Sequence, residues 1–215
     1  MPLDQLLLFV VAGLLLNLTP GPDVLYIVSH ALKSGARAGM VAALGIGAGC
    51  FVHIFAAAVG VSALLAASAT AFTVLKWTGA AYLVWVGIRM LRSSVRPASS
   101  FVAAAGPRFA PQLRSVFFRG FATNALNPKV ALFFLAFLPQ FIGPSVAHKP
   151  LAFLLLGMLF NLNGLLVNLG WAAGAAWLSA NIGAVRGSMH WLERAAGAMF
   201  LGFGLKLALS DNPSR

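Results

Sequence analysis

Asn17-Leu18-Thr19-Pro20-Gly21-Pro22-Asp23 interrupts what is otherwise an unbroken apolar helix near the N-terminus. Two prolines and a glycine remove intrahelical hydrogen bonds, and Asp23 adds a carboxylate, which in hydrocarbon costs on the order of several kcal/mol. Such a segment persists in a membrane span only where something uses it, so the break is the expected centre of the molecule.

That the surroundings are hydrocarbon follows from composition. The 215 residues are 60% hydrophobic and 9% charged, with a mean hydropathy of +0.89, which excludes an ordinary soluble domain. No Asp, Glu, Lys or Arg occurs between Arg37 and Lys76 or between Lys149 and Arg186, and each gap exceeds the roughly 20 residues that cross a bilayer. The net charge of +11 does not point to nucleic acid, because the fifteen Lys and Arg gather at helix ends instead of forming one basic face. Cys50 is the single cysteine and the four histidines fall on different segments, so neither a disulfide framework nor a metal site or other cofactor is expected. The first apolar run lacks a basic n-region and a small-residue cleavage site, and reads as a retained span.

The pattern predicts an all-α polytopic membrane protein with six spans, at about 4–28, 39–66, 70–91, 115–140, 150–180 and 190–209. Tight turns are expected at Ala67 to Thr70 and at Asn181 to Ser188. A Ser-, Ala-, Pro- and Arg-rich linker at 93–111 divides the chain into a first repeat, 1–92, and a second, 112–215. Residues Phe109 to Arg119 alternate apolar positions with arginine, as in an interfacial helix. Ten of the fifteen basic residues fall in the connections after spans one, three and five, so both termini are expected on the extracytoplasmic side.

The halves share a design. Pro22-Asp23 recurs as Pro128-Lys129, 106 positions on, and Leu83, Gly87, Ile88 and Arg89 match Phe200, Gly204, Leu205 and Lys206, 117 positions on. Three spans per half turn the second repeat upside down relative to the first, with spans one and four broken at corresponding places. In secondary transporters so built, the substrate lies near the midplane at the breaks.

The chemistry of the breaks suits a zwitterion. Pro22 and Pro128 free the carbonyls of Leu18 and Asn124, which attract an ammonium group, and each proline starts a new helix whose N-terminus attracts a carboxylate. Asn17, Thr19, Asp23, Asn124, Asn127 and Lys129 are the expected substrate and proton-binding residues, with Pro20, Gly21, Pro22 and Pro128 making the breaks. Lys129 in a first helical turn opposes the helix dipole and needs a partner. That partner is Asp23 or a bound anionic group; alternatively the lysine forms a fixed structural ion pair with Asp23, or snorkels to an interface. Gly45, Gly49, His53, Ala56 and Gly60 share one helical face of span two, and Gly157, Asn161, Gly164 and Asn168 one face of span five. The glycines suggest close helix packing, and His53 and Asn161 are candidates to line a cavity.

The motifs at Thr19 to Asp23, Arg37-Ala38-Gly39, His53, Lys76 to Leu83 and Asn127-Pro128-Lys129 resemble the lysine exporter (LysE) superfamily, in its homoserine/threonine efflux (RhtB-type) branch. The resemblance extends over nearly the whole chain. It implies an amino acid exporter of the bacterial inner membrane, driven by the proton gradient, with amino acid, protons and lipid as its partners. The sequence leaves room for a homo-oligomer without specifying one. A channel, a membrane scaffold and an intramembrane enzyme using Asp23 and His53 are the rival classes.

Overall fold

A computed structural model of the chain describes residues 3–61, scattered positions between 63 and 88, 112–143 and 146–180. It is all-helical, with no strand among the described residues. The sixth expected span, the linker at 93–111 and the turn at Asn181 to Ser188 lie outside them. So do most of the turn at Ala67 to Thr70 and Lys76. From the third span, the described positions are helical.

The first span is two helices. Helix α1, Leu3–Leu18, stops at the break, and α2, Pro22–Ser34, starts with Pro22 in its first turn and leaves at 52° to α1. Gly21 is extended there, so the chain crosses the break without a helical turn. The first helical pair therefore reaches Ser34, beyond the expected end at 28, because helix α2 restarts at Pro22 and continues to the turn at Gly35. Gly35, at φ 84, turns the chain into α3, Ala36–Ala56, and its N–H bonds to the Ala31 carbonyl at 3.0 Å.

The fourth span repeats the device. Helix α4, Leu113–Ala125, is followed by α5, Pro128–Leu132, which runs on through a π turn at Phe133–Phe137 and a 3-10 turn to Phe141, and the two parts meet at 43°. Of the interfacial helix expected at Phe109 to Arg119, the described part from Leu113 on is the beginning of α4. The fifth span is α6, Lys149–Ala180, unbroken over 32 residues. Among the described residues two helices are long and apolar enough to cross a membrane alone, and four spans result when each bent pair counts as one.

Helix α3 packs along α4, α6 and α2. A Cβ at Gly45 or Gly49 would collide with the Phe117 or Phe121 carbonyl of α4, and one at Gly120 would lie 2.9 Å from the Ala42 carbonyl. Glycine is required on both sides of this contact, where helix backbones touch. The rest of the small-residue stripe differs from expectation. Ala56 and Gly60 are exposed, and the buried row runs Gly45, Gly49, His53, Ala57, Val61. The inward row already steps by four within α3, at Gly45, Gly49 and His53, and a π turn at Ala57–Val61 carries it on to Val61.

Of three apolar clusters among the described residues, the smallest joins Val24, Val28 and Ala31 of α2 to Ala175 of α6, and the two larger flank the level of the breaks. One is rich in phenylalanine, with Phe133 stacked on Phe160 at 4.4 Å and Phe9 edge-on to Phe141 at 5.2 Å. The other is built of smaller groups, among them Ile27, Ala42, Val116 and Ala172. Outward-facing Leu7, Phe55, Leu155 and Leu166 are exposed, as befits helices solvated by lipid.

Candidate functional site

Between the two larger clusters, where both breaks meet α3 and α6, lies a polar chamber. Asn17, Asp23, Asn124, Lys129, Asn161 and Asn168 supply its polar wall, and Leu16, Ile46, Cys50, Val130 and Phe160 its apolar wall. Its volume of about 20 Å³ is room for one or two waters.

The breaks brace each other. The Lys129 ammonium, from the second break, donates to the Thr19 carbonyl of the first at 3.0 Å. In return the Asn124 carboxamide, on the near side of the second break, donates to Asp23 Oδ2 at 2.8 Å. Lys129 crosses Gly21 on the way, its Nζ 3.4 Å from where a Cβ would stand. Each charge is within the field of the other, and each has a neutral hydrogen-bond partner as well. Lys129 thus points inward across the break and not toward an interface, and a carbonyl is its bonded acceptor.

The carbonyl freed at the second break behaves differently from expectation. The Asn124 carbonyl, opened by Pro128, is taken by the protein: His53 Nε2 donates to it at 2.8 Å, and the Asn127 N–H does so at 2.8 Å. At the first break an ammonium does bind a carbonyl, that of Thr19, and the ammonium belongs to Lys129. The N-terminus of α5 is also occupied, because Asn127 Oδ1 accepts the Lys129 N–H at 3.0 Å, an ordinary N-cap. Gly21 gives α2 no such side-chain cap.

What stays open is on side chains. Asp23 Oδ1, Asn124 Oδ1, Asn17 Nδ2 and Asn127 Nδ2 are buried with no hydrogen-bond partner, and the Asn127 carboxamide lies near Asp23. A lysine ammonium has three donors, and the Thr19 carbonyl takes one of those on Lys129. The chamber therefore offers unpartnered acceptors on Asp23 and Asn124 and spare donors on Lys129 and Asn17. Buried polar groups without partners are uncommon and mark a place for a ligand or water.

Five of the eight expected binding residues line this chamber: Asn17, Asp23, Asn124, Lys129 and Asn161. Thr19, Asn127 and His53 do not. The Thr19 hydroxyl turns back to the Leu15 carbonyl at 2.7 Å, and only its backbone serves the site. Asn127 is the cap of α5, and His53 stacks on Phe134 with its donor on the Asn124 carbonyl. Asn161 is tied to α3 through the Gly47 carbonyl at 3.2 Å. Gly164 lets Asn17 approach α6, since a Cβ there would stand 3.1 Å from the carboxamide. Cys50, Gly47 and Phe160 were not singled out as wall residues. Cys50 and Gly47 lie beside the Gly45–Gly49 row on the helix, the one signal that points to them.

Apolar bent helices around a charged, amide-lined chamber define the class, a polytopic membrane protein with a polar interior. The profile of the LysE type translocators matches residues 14–211, and the chain belongs to that family. It is a membrane translocator and not an enzyme. A Vibrio cholerae protein known as an uncharacterized membrane protein is 35% identical over 202 residues, 94% of this chain and 95% of the relative. A Pseudomonas aeruginosa membrane protein, also uncharacterized, is 32% identical over 204 residues, 93% of each chain. The homoserine/homoserine lactone efflux protein of Salmonella typhimurium is 31% identical over 200 residues, 93% of this chain and 94% of the relative. No solved structure matches.

Proposed function

We propose that the protein is a secondary active exporter of amino acids, neutral or hydroxylated ones such as homoserine, threonine or leucine, working by proton antiport and alternating access in the bacterial inner membrane. The observation that carries this is the set of unpartnered groups in the chamber: acceptors on Asp23 and Asn124 for an α-ammonium, donors on Lys129 and Asn17 for an α-carboxylate. The name of the Salmonella relative supports homoserine as the first substrate to try. Homoserine lactone keeps the ammonium and replaces the carboxylate with an ester carbonyl, which still accepts from Lys129. On this reading, Asp23 is the common anchor for both molecules.

The chamber is too small for an amino acid, so the helices must part to admit one, and the bends at the two breaks are where they do so. The matched Pro-Asp and Pro-Lys steps support an inverted repeat of residues 1–92 and 112–215 about an axis in the membrane plane. When the substrate ammonium leaves, Asp23 takes a proton and carries it inward as the site returns. Counterflow of labelled homoserine in proteoliposomes tests the carrier reading. Exchange accelerated by internal unlabelled homoserine is expected, and its absence across a panel of neutral amino acids contradicts export.

The acid has its own test. Asp23→Asn is expected to reach the membrane in normal amount and to lose export driven by a pH gradient. Gradient-driven export by that variant at the normal rate contradicts the proton role.

A further inference from the structure

His53 lies outside the chamber wall, is 7% exposed, and donates from Nε2 to the backbone carbonyl of Asn124 at 2.8 Å. That carbonyl is the one Pro128 releases from the helical ladder. The side chain of the same Asn124 donates to Asp23 Oδ2 at 2.8 Å, and the other oxygen of Asp23 is unpartnered. A carbonyl oxygen only accepts, so Nε2 carries a hydrogen. The imidazole plane is further set by stacking on Phe134, 6.0 Å away and 25° from parallel.

We infer that His53 is a positioning residue for substrate binding: by holding the freed Asn124 carbonyl, it fixes the Asn124 carboxamide on one oxygen of Asp23 and leaves the other aimed at the substrate ammonium. The inference rests on the proposed amino acid site. The role differs from the acid/base or wall role suggested by an isolated histidine in a span.

Two readouts separate this role from simple packing. His53→Phe keeps an aromatic ring against Phe134 and removes the donor, whereas His53→Gln places an amide N–H at the same distance along the side chain. In homoserine counterflow, His53→Phe is expected to raise the half-saturating concentration about tenfold, with the maximal rate held within about twofold; a tenfold change corresponds to about 1.4 kcal/mol, within the range of one ordinary buried hydrogen bond. His53→Gln is expected to restore most of the loss. Independently of transport, modification of Asp23 by dicyclohexylcarbodiimide, followed by mass spectrometry on the purified protein, is expected to speed up severalfold in His53→Phe and return in His53→Gln.

An unchanged half-saturating concentration and modification rate in His53→Phe overturns the inference, as does His53→Gln behaving like His53→Phe. If the wild-type protein does not exchange amino acids, the exporter reading falls, and the Asp23 modification rates alone decide whether His53 positions the carboxylate.

Discussion

At the scale of single residues, the lysine in the second break is the most informative group. Lys129 has an apolar stem long enough to cross Gly21 and an ammonium that caps a carbonyl the first break left without an intrahelical partner. Lys129→Met keeps the stem and removes the charge. It leaves the buried Thr19 carbonyl without its ammonium partner, which costs about 1–3 kcal/mol. Loss of homoserine exchange together with a lower unfolding temperature in detergent is the expected outcome; exchange at the wild-type half-saturating concentration contradicts a role for the ammonium in binding. The sequence pointed to Asp23 and Lys129 because charge inside a span is expensive and both follow a proline. It did not reveal that Asn124 serves twice, through its carboxamide on Asp23 and its carbonyl on His53, because a hydrogen bond between span two and a backbone atom of span four leaves no local trace in either segment.

At the scale of elements, the two bent spans were legible and the face of α3 only in part. Proline and glycine punctuate the sequence where the backbone breaks, and the structure bends there by 52° and 43°. The π turns at Ala57–Val61 and Phe133–Phe137 have no comparable signal, since they depend on how neighbouring helices pack, and beyond His53 the inward face follows Ala57 and Val61 where the sequence spacing points to Ala56 and Gly60. The glycines of that stripe now separate by environment. Gly49→Ala pushes a methyl into the Phe121 carbonyl and the Asn124 side chain, and is expected to destabilise the protein by about 1–3 kcal/mol. At Gly60 a Cβ meets nothing within 4 Å, and Gly60→Ala is expected to leave stability unchanged. Thermal unfolding of both variants in the same detergent checks this, and equal effects contradict the helix contact described.

For the molecule as a whole, composition alone fixed the class, because a chain 60% hydrophobic with long uncharged runs has few alternatives to crossing a membrane. Orientation is a separate inference, from the ten basic residues after spans one, three and five. On that count we propose that both termini lie outside the cytoplasm. A C-terminal alkaline phosphatase fusion is expected to be active and a C-terminal green fluorescent protein fusion dark; the opposite pair of results inverts the topology.

The central claim is that the two breaks form one site for an amino acid, with an acid for its ammonium and a base for its carboxyl end. Competition in proteoliposome counterflow tests it most directly, using labelled homoserine against unlabelled homoserine, 3-aminopropanol, which lacks the carboxyl group, and 4-hydroxybutanoate, which lacks the amine. Homoserine is expected to compete at least about a hundredfold better than either fragment, since each fragment leaves a charged buried group unmatched, at a cost on the order of 3 kcal/mol. Competition by either fragment as strong as that of homoserine contradicts the claim.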